Sequence, residues 1–241
     1  MNLVMENIEN TLTSPGAFIG THDGNATKEM IRDFLQILYG DGLEEGYLVL
    51  WTRKDKASEF YAMGQLDAAA NTAASLCEDD DVYYGVGIQR SERFDGKRGG
   101  ADSVVAIPGL WLDVDIQGPN HQSQNLPPDA DAAMQLVKSY DLKPTLIVST
   151  GGGLHVYWLF TEPMVLRNDQ DRERARALCK RFQTVFIDLA MRQGWQIDDT
   201  SDLSRLLRLP GTYNHKRGTP VPVAVVKHDQ DKRYSVTEIE A

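Results

Sequence analysis

Apolar positions along this chain recur with a helical period in some stretches and alternate with a two-residue period in others. The pattern predicts helices interleaved with strands. Ile31, Phe34, Leu35 and Leu38 keep helical spacing over 27–39, where Thr27 can cap the start and Gly40 can end it. A short strand is expected over 47–51, an alanine-rich helix over 66–77 and, after an acidic turn at 78–81, a strand over 82–88. Further along come a strand over 104–116, a helix over 129–140, and strands over 145–149 and 154–160. Ala175, Leu178, Phe182, Val185, Phe186 and Leu189 then form one apolar stripe on a long helix between Asn168, a cap, and Gly194, a stop. Hairpin and crossover connections occur together, which implies an α/β or α+β fold with a mixed sheet. There is no internal repeat and no low-complexity tract.

Two connections stand out. The polar loop 89–103 carries Arg90, Arg93, Lys97 and Arg98, and its length suits a functional flap better than a plain connector. The segment 117–128, with Pro119, Pro127 and Pro128, reads as a surface insertion.

With 241 residues, 41% of them hydrophobic and 25% charged, the chain can bury a substantial core as one large domain or two subdomains. It has no run of about 18 or more apolar residues, and an acidic start rather than a basic one, so no membrane span or secretory signal is expected. A cytoplasmic protein is the expectation. Cys77 and Cys179 are too few for a disulfide framework or a cysteine-rich zinc site and read as packing residues. A net charge of −10 excludes a general nucleic-acid-coating protein, whose affinity comes from neutralising phosphates. Any contact with DNA is therefore local. The basic residues that could make it cluster at Arg90/Arg93/Lys97/Arg98, at Arg172/Arg174/Arg176/Lys180/Arg181 and at Arg205/Arg208/Lys216/Arg217.

Three segments carry candidate chemistry. In 110–116, strand alternation sends Leu110, Leu112, Val114 and Ile116 to one face and Trp111, Asp113 and Asp115 to the other. Carboxylates at i and i+2 are about 6.5–7 Å apart along the backbone, close enough to bridge two divalent cations about 3.5–4 Å apart. Magnesium and manganese favour such oxygen donors. An Asp-x-Asp alone is also an ordinary feature of a solvated strand. In 149–158, Gly151, Gly152 and Gly153 join two strands, and their amides, with Ser149 beside them, can cradle a phosphate or form a bare hairpin turn. Leu154, Val156, Trp158 and Phe160 form an apolar face, which turns His155 and Tyr157 the other way and makes His155 a candidate phosphate donor. The third segment, 197–216, joins Asp198, Asp199 and Asp202 to Arg205, Arg208 and Lys216, a set suited to holding a metal-bound triphosphate from two sides, or to a structural ion-pair network around Arg208.

Together these segments resemble the archaeo-eukaryotic primase superfamily, in particular the primase-polymerase domains of phage and plasmid replication proteins and their CRISPR-associated relatives. The family's hydrophobic-Asp-hydrophobic-Asp motif resembles Leu112-Asp113-Val114-Asp115, and its small-x-His motif resembles Gly153-Leu154-His155. Its hydrophobic-Asp motif resembles Ile197-Asp198, and the Asp-Leu-x-Arg-x-x-Arg-x-Pro-Gly-Thr run of the phage and plasmid branch resembles 202–212. The likeness covers roughly 82–216.

The resemblance implies a single primase-polymerase catalytic domain over 1–241, with an N-terminal α/β subdomain over about 1–100 and an RRM-like catalytic subdomain over about 101–220, forming a cleft. It implies metal-dependent, template-directed nucleotidyl transfer from ribo- or deoxynucleoside triphosphates, for priming and DNA extension, in a bacterial, archaeal or phage-infected cell. Asp113, Asp115 and Asp198 would hold two Mg²⁺ or Mn²⁺ ions, and no zinc is expected. Ser149, Gly151, Gly152, Gly153, His155, Arg205, Arg208 and Lys216 would bind the nucleotide, and single-stranded template would follow the loop from Arg90 to Arg98.

A short strand over 195–199 would share Trp195 and Ile197 with the core, sending Asp198 to the cleft and Asp199 away, while Asp202 would cap a turn or pair with Arg205 or Arg208. A new helix beginning at Ser235 suggests the N-terminal part of a longer replication protein, and the resemblance then implies a downstream helicase domain or helicase partner. Two other classes fit parts of the pattern. One is an Asp-x-Asp glycosyltransferase, which gives no reason for the glycine-His and Pro-Gly-Thr segments, and the other is a catalytically inert primase-like docking module.

Overall fold

In the computed structural model, residues 24–40, 42–93, 95–118, 125–216 and 218–240 are described. The expectations for the N-terminal residues, for much of the 117–128 insertion and for Arg217 lie outside them. Helix α1 (Gly24–Tyr39) buries Ile31, Phe34, Leu35 and Leu38 as the periodicity requires and ends at Gly40. Its start differs from the expectation. Thr27 is buried inside the first turns instead of capping them.

Strands β1 (Tyr47–Thr52) and β2 (Ser58–Ala62), helix α2 (Leu66–Leu76) and strands β3 (Val82–Gly85) and β4 (Ile88–Gln89) follow. The strand expected over 82–88 is broken because it changes partners. β3 pairs with the late strand β8 (Leu206–Arg208), β4 pairs with β5 (Val104–Asp115), and between them the Val86 N–H donates to the Arg205 carbonyl at 2.9 Å.

Helix α3 (Ala130–Lys138), capped by Asp129, connects β5 to β6 (Leu146–Ser149), and β7 (Gly153–Val165) leads to helix α4 (Asp169–Arg192), capped by Asn168. β9 (Tyr213–Asn214) and β10 (Val221–Pro222) form a small separate pair, β11 (Ala224–His228) flanks β6, and α5 (Val236–Glu240) follows. No helix among the described residues is long and apolar enough to cross a membrane.

The main sheet has nine strands in the order β11-β6-β7-β5-β4-β1-β3-β8, with β2 beside β1. Its named pairings are antiparallel, and among the described residues an isolated bridge between Phe160 and Tyr234 is parallel. β5 and β6 each lie antiparallel to β7 between them, so they run the same way and α3 is their crossover, which is the RRM-like arrangement.

Both faces of β7 are covered, so its first eight residues are all buried where an exposed strand would alternate. On one face Trp158 packs against Phe182 and Phe186 of α4, with ring centroids 4.9 and 5.3 Å away. On the other face, the Tyr84 hydroxyl donates to that of Tyr157 at 2.9 Å, and Phe34 of α1 meets both rings edge-on. Burying these aromatic side chains contributes roughly 1.5–3 kcal/mol each. At one end β5 is only partly covered, where it carries its two aspartates, while the β7 residues opposite them stay buried.

Candidate active site

Asp113 and Asp115 lie near the end of β5, opposite His155 and Gly153 of β7. Directly opposed residues share a face, so the pairing register itself sets the imidazole beside the Asp113 carboxylate. A Cβ on Gly153 would fall 2.2 Å from the Val114 carbonyl oxygen, so only glycine allows the strands to approach this closely.

His155 Nε2 is 3.6 Å from Asp113 Oδ1, too far for a hydrogen bond. Burial, helped by the charge of Arg208, pushes the imidazole pKa down to about 3, so the ring is neutral and this contact is no salt bridge. Its Nδ1 is buried and has no hydrogen-bond partner among the described residues. Burial likewise pushes the Asp113 carboxyl up; Arg205 opposes that shift and Asp198 adds to it.

The third carboxylate arrives from the segment after α4. No strand forms over 195–199, contrary to the sequence expectation, because this segment hangs on point contacts and joins no sheet edge. The Trp111 indole donates to the Thr200 carbonyl at 2.8 Å, and Asp199 pairs with Lys180 of α4 while accepting the Ser201 N–H at 3.0 Å. These anchors give the separation that the strand was expected to provide. Asp198 lines the cleft and Asp199 is held elsewhere. Asp202 accepts from the backbone and hydroxyl of Ser204, while Arg205 turns to Asp113 and Arg208 to Asp81.

The cleft has a volume of about 290 Å³. Asp113, Asp115, Gly152, His155, Asp198, Arg205, Arg208 and Lys216 all line it. Ser149, Gly151 and Gly153 do not: Ser149 is buried between β7 and β11, Gly151 packs against Val221, and Gly153 is taken up in β7.

Arg205 Nη2 is 3.3 Å from Asp113 Oδ2, with the guanidinium side chain 36% exposed, so it remains accessible to a ligand. Arg208 is held differently. Its guanidinium is almost wholly buried, paired with Asp81 and 4.8 Å above the Tyr83 ring. The basic stripe on α4 is also engaged, through Arg172–Asp169, Arg174–Glu240, Arg176–Asp102 and Lys180–Asp199 pairs.

Sequence reasoning missed Tyr83, Thr150 and Asn214, which also line the cleft. Asn214 donates to the Thr150 carbonyl at 2.7 Å and accepts the Lys216 N–H at 3.1 Å, tying the glycine turn to the segment that carries Lys216. Tyr83 was legible in principle, since alternation in β3 turns it away from buried Val82 and Tyr84. The Asn214 link joins segments too distant in sequence for any local pattern to reveal.

Among the described residues no three His, Cys, Asp or Glu side chains are already drawn together as a closed metal cage. The donor set fits a hard divalent cation in kind all the same. Three carboxylates line one polar cleft, and the raised Asp113 carboxyl, sensitive to Asp198, is a site where added positive charge is favourable.

No protein-family model matches the chain. The uncharacterised protein MJECL28 of Methanocaldococcus jannaschii is 27% identical over 161 residues, which is 64% of this chain but only 11% of that protein's length. The archaeo-eukaryotic primase domain of the cyanophage S-2L primase-polymerase superposes with a TM-score of 0.52 at 17% identity, covering 88% of this chain and 96% of that one. The chain has the primase-polymerase fold. Primase RepB′ agrees, with a TM-score of 0.51 at 12% identity over 89% of this chain and 61% of that one. The catalytic domain of RepB′, solved with initiator DNA, gives 0.50 at 14% identity over 89% and 92%. At these identities the likeness establishes the primase-polymerase fold, and the site must be argued from its own residues.

Proposed function

We propose that this chain is a DNA primase-polymerase, a metal-dependent enzyme that joins nucleoside triphosphates on a single-stranded DNA template. One observation carries the reading: within a primase-polymerase fold, a single cleft sets Asp113, Asp115 and Asp198 beside Arg205, Arg208 and Lys216. A metal-bound triphosphate needs both kinds of charge around it. Asp113, Asp115 and Asp198 would hold Mg²⁺ or Mn²⁺, which when bound favours deprotonation of the attacking hydroxyl and neutralises the leaving pyrophosphate.

The side chains divide the remaining work. Arg205 balances Asp113 in the free cleft and is exposed enough to turn to the triphosphate when it enters. Lys216, exposed at the rim, adds charge from the same side. Arg208, fixed by Asp81, braces Tyr83 and contributes its field from a buried position. Neutral His155 donates a single N–H to a phosphate oxygen, which is binding without added charge. Template contacts along the loop from Arg90 to Arg98 would be made to the backbone and weaken with salt.

His155→Ala is accordingly expected to raise KM for the triphosphate more than it lowers kcat, because a donor used equally in ground and transition states contributes uniform binding. Steady-state incorporation kinetics check this. An unchanged KM with a collapsed kcat would make His155 a transition-state group instead.

The function itself is tested by extending a labelled primer, beside a reaction without primer, with each nucleotide type and with Mg²⁺ or Mn²⁺. Incorporation is the expected result; none under any combination removes the reading. A second reading, an inert docking module, draws on the contact that Arg205 already makes with Asp113. Calorimetric titration separates them: metal-dependent triphosphate binding supports the enzyme, and its absence supports the module.

A further inference from the structure

Beside the carboxylate cleft lies a second, more open groove of about 370 Å³, lined by Trp51, Arg53, Tyr83, Arg98, Leu206 and Lys216. It shares Tyr83, Leu206 and Lys216 with the cleft, so the two are continuous. In a chain of net charge −10, three cationic side chains and no carboxylate line this groove among the described residues.

Trp51 and Tyr83 are register partners on β1 and β3, so both project to the same face, with ring centroids 5.4 Å apart and planes at 68°. Both are half-buried, which leaves ring surface to the groove. Arg208 braces Tyr83 from β8, and its buried partner Asp81 also pairs with Arg53 at 3.4 Å. The aromatic pair and one of the groove's cations are thus held by a single buried carboxylate.

We propose that this groove is a stacking site for single-stranded nucleic acid entering the cleft, with Trp51 taking a base and Arg53, Arg98 and Lys216 taking the phosphates. The proposal rests on, and deepens, the reading of the cleft as a nucleotidyl-transfer site. Every base offers a π face and every nucleotide an anionic link, so aromatic rings beside cations bind a strand without regard to sequence. Duplex DNA keeps its bases stacked inside and cannot offer them to Trp51. A mononucleotide shares the chemistry of base and phosphate. The strand is favoured because the groove opens to solvent, runs into the cleft, and takes exposed Arg98 from the loop 89–103.

The test is fluorescence anisotropy of a labelled oligothymidylate of about a dozen nucleotides, a length within the known range of single-strand sites, at two salt concentrations. Calorimetric titration with a nucleoside triphosphate and Mg²⁺ runs beside it. Trp51→Ala is expected to weaken oligonucleotide binding at least about fivefold, and Trp51→Phe to retain most of it. Arg98→Glu should weaken binding and flatten its salt dependence, with triphosphate binding unchanged in all three variants.

Unchanged oligonucleotide affinity in a Trp51→Ala protein that melts like the wild type overturns the proposal. Weakened triphosphate binding with unchanged oligonucleotide binding also overturns it, assigning the groove to a mononucleotide. If Trp51→Ala does not fold, the exposed Arg98→Glu carries the test, and unchanged affinity there overturns the proposal. The assay reads binding alone, so the two readings fail separately. Trp51-dependent binding by a chain that incorporates nothing keeps the groove and removes the transferase; incorporation with Trp51-independent binding does the reverse.

Discussion

Asp113→Ala combined with Asp115→Ala is expected to abolish nucleotide incorporation while the chain stays folded, and Asp198→Asn to lower incorporation at least about a hundredfold. Leu110, Leu112 and Val114 on the opposite face, with Trp111 on their own, do the packing at this end of the strand while the two aspartates stay partly exposed, so removing the carboxylates takes nothing from the core. Asp113 is also held at a cost. Burial disfavours its charge, and the neighbouring Asp198 adds to that, against the attraction of Arg205. The double variant should therefore melt close to the wild type or above it.

Asp199 provides the contrast. Partial burial works against its charge, yet Lys180 and Ser201 hold its carboxyl down to about 2, so it is committed to anchoring the loop. Asp199→Asn should leave most incorporation intact with a small loss of stability, since the Lys180 pair is largely exposed. Asp202→Asn should act through the Ser204 turn alone. Primer extension and melting temperature for the double variant and the three single ones decide the matter. Wild-type extension by a folded double variant would remove the pair from the chemistry, and an active Asp198→Asn beside a dead Asp199→Asn would reverse their assignments.

Asp81→Asn is expected to destabilise the fold by about 3–5 kcal/mol, because it leaves a buried guanidinium without its counter-charge. The Asp81 and Arg208 side chains are only 5% and 6% exposed, and Asp81 also takes Arg53 and the His215 N–H at 2.9 Å. The lower end of the range fits best, since an asparagine oxygen still accepts from His215. In a chain of this length that is a melting shift on the order of 10 °C.

The pH dependence follows from the same partners. Burial opposes the Asp81 charge, but Arg208, the His215 N–H and Arg53 outweigh it and hold the pKa below the ordinary value of 3.8. A lowered folded pKa gives stability that is fully present above the unfolded pKa and is lost as pH falls through the folded one. Below about pH 4 the wild type should therefore lose stability more steeply than Asp81→Asn. Thermal melts of both proteins from neutral pH downward check it; parallel curves would mean that the pair carries no net stabilisation.

What the sequence disclosed here followed from period. Leu110 to Asp115 and Leu154 to Tyr157 alternate cleanly, and α4 carries its stripe between Asn168 and Gly194, so these elements were legible, although Val185 of that stripe is exposed and the His155 and Tyr157 face of β7 is buried. The strands β2, β8 and β11 were not, because β8 is only three residues long and the half-buried residues of β2 and β11 give little alternation. The site was legible as a set of residues and not as a geometry. Asp198 was expected to reach the cleft by strand phase and reaches it by anchoring. Arg208 and Asp81, far apart in sequence, meet only because β8 returns to β3.

Trp111 is placed two residues before Asp113, with its indole on the Thr200 carbonyl and its own carbonyl accepting the Gln183 amide of α4 at 2.6 Å. The strand, the loop and the helix are thereby pinned to one residue, like three spokes on a hub, the loop through its indole and the helix through its backbone carbonyl. Displacing any one of them costs bonds to the others, so the spacing between the strand carboxylates and Asp198 resists change.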